Sequence, residues 1–212
     1  MFGFPVARWV VRSTSAARWP VVLRHGSLTL QPLRKRDHIA WTQLRKANMQ
    51  WLQPWDSTPP NAGDTPPGFF SMQRQHESDA RRGICLPWAM WWEGTLIGQM
   101  FVGGITYGPV LGCFAGYWID RRYAGRGITP LALSLAAVYA FDTCSLHRLE
   151  VSIRPENQAS IRVAEKLGFV PEGVRRSFLH VDGAWRDHNI YAVIADEVQA
   201  PAHPIRQLLA GQ

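Results

Sequence analysis

Three arginines and two glycines fall within residues 121–127 (RRYAGRG), just past the middle of the chain. A run typical of a buried strand, residues 114–119, precedes them, and Leu131, Leu135 and Val138 follow at helical spacing. Glycine lets the backbone approach a ligand closely, and the first amides of a helix lack partners within the helix. The segment therefore predicts a loop that binds a phosphate or pyrophosphate. Because the same residue types occur in ordinary surface turns, the prediction depends on the surrounding elements.

The composition predicts one globular domain with a basic N-terminal extension. At 212 residues, with 46% apolar residues and no run of membrane-spanning length, the chain can bury one sizeable core. Of the 23 Lys and Arg, seven lie within residues 1–36, before the first acidic residue, Asp37; the 16 that remain balance the 16 Asp and Glu. We predict a basic extension at residues 1–20, whose charge allows a weak contact with rRNA, a domain at 21–200 and a tail at 201–212.

The cysteine spacing gives no sign of a metal site. The three cysteines, Cys85, Cys113 and Cys144, are an odd number and lack the short spacing of metal ligands. They predict ordinary buried thiols in a reducing compartment. We therefore expect a cytoplasmic protein without a metal and without a membrane partner.

Periodicity predicts a mixed sheet with helices on both faces. Asp37 is expected to cap the first helix, whose apolar stripe includes Ile39 and Leu44. The turns Glu93-Gly94 and Asp182-Gly183 each indicate an antiparallel hairpin. The predicted strands are residues 27–33, 88–92, 96–102, 114–119, 148–153, 174–181 and 189–194, and the further helices are residues 69–82, a segment after 127 and residues 157–167. Because strands and helices do not alternate strictly, we expect an α/β (α+β) fold.

Two tryptophans precede a long loop that is rich in proline. Residues 51–55 read Trp-Leu-Gln-Pro-Trp, and the loop that follows runs to Gly68. A long irregular segment inside a compact domain is usually functional or disordered. The paired tryptophans favour function, so we expect Trp51 and Trp55 to bind substrate. The alternative is that they close the edge of the core.

The second half of the chain carries five further segments that resemble one family. They are GYWI at 116–119, HRLEV at 147–151, RPENQAS at 154–160, KLGF at 166–169 and WRDH at 185–188. Together with the loop at 121–127 and the order of elements, they resemble the GNAT acetyltransferases, in particular the ribosomal-protein-alanine N-acetyltransferases of RimJ/RimL type. The resemblance covers residues 28–197 and is strong from about residue 114 onward. Before that point only residues 52–55 match, and they are similar to a segment that lines the peptide side in that family.

The resemblance implies a GNAT fold, with a mixed, mostly antiparallel, splayed sheet of about seven strands, and acetyl-CoA as cosubstrate. The pantetheine arm would lie between the strands at 114–119 and 148–153, with the pyrophosphate on the loop at 121–127. Backbone amides near Trp118 and Ile119 would polarise the thioester carbonyl. The cofactor-binding residues that it implies are Trp118, Ile119, Arg122, Gly125, Arg126, Gly127, Ile128 and Asn157.

Glu150 is the expected catalytic base. It matches the position of a catalytic glutamate in related N-terminal acetyltransferases and would take the proton of the attacking amine, directly or through water. The alternative is that Glu150 only pairs with an arginine such as Arg148. His188, His180 and Asp120 are rival bases, and His188 is the strongest of them because imidazole titrates near neutrality.

Asn157 and Ser160 stand three residues apart at a predicted helix start. The plain interpretation is an N-cap followed by an ordinary residue of the first turn. The resemblance adds that Asn157 would bond the pantetheine amides and that Ser160 would face the CoA sulfur as the catalytic proton donor. Ala164 stands where some relatives carry a tyrosine as the acid. Because serine is a weak acid, its contribution would be hydrogen bonding more than full proton transfer.

The resemblance implies transfer of acetyl from acetyl-CoA to the N-terminal α-amine of a protein, and of a ribosomal protein in particular. An α-amine with a pKa of ~8 costs about 1.4 kcal/mol to deprotonate at pH 7, whereas a lysine with a pKa of ~10.4 costs about 4.6 kcal/mol. A single modest base therefore suits an α-amine, which Trp51, Trp55 and His188 would help to bind. Two alternatives stay open: the same fold acting on a small amine, and a non-catalytic CoA-binding module associated with ribosomes.

Overall fold

A computed structural model describes residues 19–61 and 63–211 of the chain. Most of the basic extension predicted at residues 1–20 lies outside this range. Trp19, however, is 7% exposed; its ring packs against Trp88 with 6.1 Å between centroids, and its indole N–H donates to Glu77 at 3.0 Å. The packed part of the chain therefore includes Trp19, which the predicted boundary assigned to the extension.

The strands form one open sheet. They are β1 Leu23–His25, β2 Leu28–Pro32, β3 Leu86–Trp92, β4 Thr95–Thr106, β5 Gly112–Ile119, β6 Arg148–Ile153, β7 Val170–Val181 and β8 Ala184–Ile194, in the spatial order β1-β2-β3-β4-β5-β6-β8-β7. Every neighbouring pair is antiparallel except β5 and β6, which run parallel. The sheet has eight strands instead of about seven because the three-residue β1, too short to show a period of two, pairs with the edge of β2.

Helices cover both faces of the sheet, as predicted. They are α1 His38–Ala47, α2 Met49–Leu52, α3 Phe69–Arg81, α4 Ile128–Val138, α5 Gln158–Lys166, α6 Ala195–Val198 and α7 Pro204–Ala210. Alternate residues of β3 divide the core: Trp88 and Met90 belong to a cluster with α4, whereas Ala89 packs with Leu44 of α1 and Phe69 of α3. This period of two is what a strand buried on both faces requires.

α4 is apolar almost all the way round because it is covered on two sides. Leu133 and Ala136 have no exposed surface, and the helix continues into a π-helical turn, Tyr139–Thr143. Its outer side packs against α7, where Ile205 is fully buried. Residues 201–212 were predicted to be a tail. Seven of them instead form α7, and Ile205 helps to complete the core.

The start of α1 differs from the prediction. A 3₁₀ turn, Lys35–Asp37, precedes the helix, and the Asp37 carboxylate accepts the amide N–H of Arg34 at 2.8 Å instead of capping α1. Ile39 is 67% exposed, whereas Leu44 is buried. Five helical residues correspond to about 140° of rotation, so both side chains cannot face one core.

Candidate active site

The parallel strands β5 and β6 separate part of the way along their length. Their pairing ends at Ala115 and Val151, although β5 runs on to Ile119 and β6 to Ile153. The amide of Asp120 donates to the Ile97 carbonyl of β4 at 2.7 Å. Because successive amides point to opposite edges of a strand, the Ile119 amide points away from β4, into the opening. The Trp118 amide, by the same alternation, points toward β4.

The predicted anion loop has the backbone that such a loop needs. Gly125 and Gly127 have φ values of 76° and 79°, in the left-handed region, and Gly127 begins α4 without a capping side chain. A Cβ added to either glycine would meet nothing within 4 Å, so the loop faces open space. Within the described chain, the amides of residues 125–128 donate to no acceptor. These amides and the positive end of α4 form a surface suited to an anion.

Two of the three loop arginines, Arg122 and Arg126, contact residues within the loop or next to it. Nε and Nη2 of Arg122 donate to Asp120 at 2.9 and 2.6 Å, and the Arg122 amide donates to the same carboxylate at 3.1 Å. Burial raises the pKa of Asp120, but these bonds outweigh it and the net pKa is lowered. Asp120, proposed above as a rival base, is therefore a charged anchor for the loop. The Arg126 guanidinium lies over the Tyr123 ring, 5.2 Å from its centroid.

Two clefts meet at the opening between β5 and β6. The larger cleft, about 730 Å³, extends from the loop and the first turn of α5 across Trp118. The smaller cleft, about 550 Å³, lies along β5, β6, β7 and β8 and contains Glu150 and His188. The residues that line both clefts are Trp55, Gly116, Tyr117, Asn157 and Ser160. Two molecules bound in the two clefts would thus meet beside Ser160.

The first turn of α5 has the predicted cap. Asn157 Oδ1 accepts the amide N–H of Ser160 at 3.1 Å. This bond fixes the orientation of the Asn157 amide, and its NH₂ group donates to nothing in the described part of the chain. Asn157 therefore caps α5, as the plain interpretation predicts, and its NH₂ group remains available as a donor to both clefts.

Glu150 lies in the smaller cleft between two arginines. Its Oε1 accepts Nε of Arg148 at 3.0 Å, and its Oε2 accepts Nη2 of Arg175 at 2.9 Å. Arg148 also binds Glu172 of β7. The ion pair weighed as the alternative for Glu150 is present, and each carboxylate oxygen is already engaged by a cation.

His188 lies in the same cleft, and its Nε2 has no hydrogen-bond partner among residues 19–61 and 63–211. Its side chain is buried, and Nδ1 lies 3.0 Å from the Arg186 carbonyl oxygen, which can only accept. Nδ1 therefore carries the proton and Nε2 has its lone pair available. Burial is the main cause that lowers the pKa of His188. The imidazole is consequently neutral at pH 7 and able to accept a proton.

His180, another rival base, is not among the residues that line the two clefts. Its Nδ1 lies 2.8 Å from the Thr58 hydroxyl and 3.1 Å from the Thr58 carbonyl. A bridge between Ser57 and Val181 reinforces this contact. His180 thus attaches the proline-rich loop to the β7–β8 hairpin, and the structure assigns it no role at the cleft.

Both tryptophans that were expected to bind substrate line a cleft. Trp51 lines the larger cleft and donates its indole N–H to the Ile119 carbonyl at 3.1 Å. Trp55 lines both clefts, and Arg154 lies over its ring, 5.5 Å from the centroid. They stand at the cleft walls and not at the edge of the core.

Two cleft residues were missed by sequence reasoning. The Gln99 oxygen accepts the indole N–H groups of Trp41 and Trp118 at 2.9 and 3.0 Å. These two hydrogen bonds fix the orientation of the Gln99 amide, including its NH₂ group. Tyr117 brings a buried hydroxyl to the junction of the clefts. A glutamine inside an apolar strand is a weak signal, and Tyr117 is one of many aromatic residues in the chain.

The cysteines are buried thiols, as predicted. Cys113 lines the smaller cleft, but burial, more than any other cause, raises its pKa to about 12, so it is no nucleophile at neutral pH. Among residues 19–61 and 63–211, no group of three metal-ligating side chains is found. In the same range, no helix has the length and apolarity needed to cross a bilayer.

Comparisons with known proteins agree with this geometry. Residues 27–170 match the acetyltransferase (GNAT) domain family. The structure of Mycobacterium smegmatis RimJ in complex with CoA-disulfide superposes with a TM-score of 0.81 at 33% identity, over 91% of this chain and 96% of that one.

Two curated relatives match to different extents. The [ribosomal protein uS5]-alanine N-acetyltransferase of Escherichia coli K12 is 26% identical over 82% of this chain and 90% of its own length. A probable N-acetyltransferase of Bacillus subtilis, YjcK, is 38% identical over 102 residues, and the chain spans 56% of its length. The two clefts that meet at one opening agree with these matches. The family match and the shared fold show that the chain belongs to the GNAT acetyltransferase family and is an acetyl-CoA-dependent enzyme.

Proposed function

We propose that the protein transfers acetyl from acetyl-CoA to the N-terminal α-amine of a protein, and that this acceptor is a ribosomal protein. The observation that carries the proposal is the meeting of two clefts at the opening between β5 and β6. The larger cleft takes acetyl-CoA and the smaller cleft takes the acceptor. The names of the relatives, a RimJ and an N-acetyltransferase of ribosomal protein uS5, supply the acceptor class.

Acetyl-CoA is held mainly by backbone groups. The amides of residues 125–128 bind the pyrophosphate, and Asn157 Nδ2 donates to the pantetheine. The Ile119 amide, which points into the opening, polarises the thioester carbonyl. The direction of the Trp118 amide supports a different role for that residue: its indole fixes Gln99 at the wall of the larger cleft.

His188 is the base in this proposal. The amine must lose a proton to attack, and removing it from an α-amine at pH 7 costs about 1.4 kcal/mol. A neutral imidazole with a free Nε2 can accept that proton. Glu150, with both oxygens bound by Arg148 and Arg175, has a smaller capacity to accept one and serves chiefly to hold those arginines.

Ser160 serves the leaving group. It lines both clefts at the first turn of α5, beside the site at which the thioester would lie. Its hydroxyl donates to the sulfur as the C–S bond breaks. Ala164, at the α5 position where some relatives carry a tyrosine as the acid, has no acidic group and is fully buried in the core.

The charge of the smaller cleft disfavours a polyamine as acceptor. Arg148, Arg154 and Arg175 line it, against Glu150 as the one carboxylate among the lining residues of the described chain. A polycation would meet net positive charge there, whereas a peptide brings one α-amine and an otherwise neutral backbone. A neutral small amine stays the alternative. The Nε2 atom of His188, which has no partner in the described chain and lies in the smaller cleft, disfavours the non-catalytic module.

Incubating the protein with acetyl-CoA and a library of short peptides tests the function. Mass spectrometry should show a gain of one acetyl group on the N-terminal residue, with peptides that copy the N-termini of ribosomal proteins among the best acceptors. Matched peptides with a blocked N-terminus and a free lysine should gain none. Acetylation of lysine, or of small amines in preference to every peptide, would contradict the proposed acceptor.

A contact between the N-terminal extension and rRNA stays a separate prediction. Most of residues 1–20 lie outside the described range, and the basic charge is its only support. A protein that modifies ribosomal proteins would act in the cytoplasm, in agreement with the three thiols.

A further inference from the structure

Tyr117 carries a buried hydroxyl without a hydrogen bond. Its oxygen has almost no exposed surface and no hydrogen-bond partner among the described residues. Buried hydroxyls are normally paired, so an unpaired one points to a partner that arrives or moves during function. Tyr117 lines both clefts, at the point where acetyl-CoA and the acceptor would meet.

The neighbour that can pair with it is Ser160. Burial, the larger effect, raises the pKa of Tyr117 to about 12, and the Ser160 side chain acts in the opposite direction. Both side chains line the junction of the two clefts, Tyr117 from β5 and Ser160 from α5, and the Tyr117 hydroxyl has no hydrogen bond to Ser160 or to any other described residue. With such a pKa, Tyr117 keeps its proton at neutral pH and can act only as a neutral partner.

We propose that Tyr117 is a positioning residue for Ser160: its O–H donates to Ser160 Oγ and thereby directs the Ser160 O–H toward the CoA sulfur. The inference rests on the role given to Ser160 in the proposed function. A hydroxyl that accepts one hydrogen bond donates a stronger one, because the two bonds polarise each other. A lone serine would rotate among its rotamers, whereas this pair has one productive arrangement.

Acetyl transfer from the thioester to the amine needs no proton from Tyr117. His188 first takes one proton from the ammonium group, and the neutral nitrogen then bonds to the acetyl carbon. The C–S bond breaks with its electron pair on sulfur, and the nitrogen loses its second proton to water. The thiolate accepts the hydrogen bond of Ser160. Since a thiol has a pKa of ~8.5 and serine a far higher one, the hydroxyl keeps its proton and the thiolate takes a proton from the solvent.

A double-mutant cycle with Tyr117→Phe and Ser160→Ala tests the inference. Tyr117→Phe should lower kcat roughly tenfold, with the affinity for acetyl-CoA and the melting temperature unchanged. The double variant should be no slower than Ser160→Ala, because Tyr117 acts only through Ser160. Tyr107→Phe is the matched control: it removes a hydroxyl that donates to the Gly83 carbonyl at 3.3 Å, on a residue that lines neither cleft, and should leave kcat unchanged.

Other outcomes would overturn the inference. If Tyr117→Phe keeps normal turnover while Ser160→Ala is slow, Tyr117 has no such role, although the proposed function stands. If the two losses multiply in the double variant, Tyr117 acts independently of Ser160. A crystal structure of the CoA complex tests the geometry even if no peptide is acetylated: Tyr117 Oη should lie about 2.7 Å from Ser160 Oγ, and a separation beyond about 3.5 Å would contradict the proposal.

Discussion

His188 and Glu150 both line the smaller cleft, but their hydrogen bonds differ in kind. His188 donates through Nδ1 to a carbonyl and leaves Nε2 as an acceptor. Glu150 accepts from Arg148 and Arg175, one with each oxygen. A catalytic base needs a lone pair that no other group occupies when the substrate binds. Nε2 of His188 meets this condition better than the Glu150 oxygens, which already accept from Arg148 and Arg175.

His188→Gln should lower kcat at pH 7 by about 10²-fold or more, because glutamine retains polarity but accepts no proton. Binding of acetyl-CoA should survive, since the loop at residues 121–127 is unaffected. Raising the pH from 7 to 9 supplies the neutral α-amine without a base, so the deficit should shrink over that range. Steady-state rates on one peptide, measured across that pH range, give the result.

Glu150→Gln is the contrasting variant. It removes a charge from the ion pairs with Arg148 and Arg175, so the expected loss is about 1 kcal/mol of stability, or about 2–4 °C in melting temperature. Turnover per folded molecule should stay close to normal. If instead Glu150→Gln is slow at pH 7 and recovers at pH 9, while His188→Gln is not slow, the base is Glu150.

At the scale of elements, we predict that the loop between β5 and α4 binds an anion through its backbone. The Arg122 side chain is occupied by Asp120, and Arg126 lies over Tyr123, whereas the amides after Gly125 have no partner in the described chain. Acetyl-CoA at about 100 times its Kd should stabilise the fold by about 2.7 kcal/mol, which appears as a higher melting temperature.

Gly125→Asp should abolish this thermal shift, because its carboxylate would stand where the pyrophosphate binds. Gly125→Asn is the matched control: it has nearly the same shape and also tolerates the positive φ of 76°, but carries no charge. Arg126→Ala should lose little of the shift. If Arg126→Ala and Gly125→Asp lose it equally, side-chain charge binds the anion and the backbone does not.

Elements with strong local signals could be predicted from the sequence, and those that depend on distant partners could not. β6 was predicted with its observed bounds because its period of two is uninterrupted, and the Asp182-Gly183 turn sets the β7–β8 hairpin. β1 and α7 are short and gain their stability from β2 and α4, so their own residues carry little signal.

The same division holds within the site. The glycines of the loop and the Asn157 cap were predictable because each acts on backbone a few residues away. The Arg175 contact of Glu150 spans 25 residues and depends on the register of β7. Tyr117 and Ser160 reach the same cleft junction only through the packing of α5 on the sheet. Such contacts require the tertiary structure.

At the scale of the whole molecule, we predict that residues 1–18 can be removed without loss of activity. A chain that begins at Trp19 should fold and acetylate short peptides at the rate of the full chain, because in the described part of the chain both clefts are lined by residues from Trp51 onward. A cut after residue 20 is a worse choice, since Trp19 packs against Trp88 and bonds Glu77. Loss of turnover in a folded chain that begins at Trp19 would place the extension in the site.

The stability of the molecule should fall on mild acidification because several histidines are held neutral. Burial is the main cause that lowers the pKa of His76, His188 and His203. Below their usual pKa near 6.5, the unfolded chain binds protons that the folded chain does not, so the free energy of unfolding decreases as the pH falls from 7 through 6. Carboxylates with lowered pKa, such as Glu172, add a further loss only at more acidic pH, below their usual 4.5.

His203 makes the acid sensitivity testable with one substitution. Its Nδ1 accepts the amide N–H of Ile205 at 3.3 Å and caps α7, which requires an imidazole without a proton on Nδ1. His203→Asn keeps a capping acceptor but does not titrate, so its free energy of unfolding, measured in urea from pH 8 to pH 5.5, should fall less steeply than that of the wild type. An equally steep fall would show that protonation of His203 does not open the cap, and a rise in wild-type stability on acidification would reverse the sign argued for all three histidines.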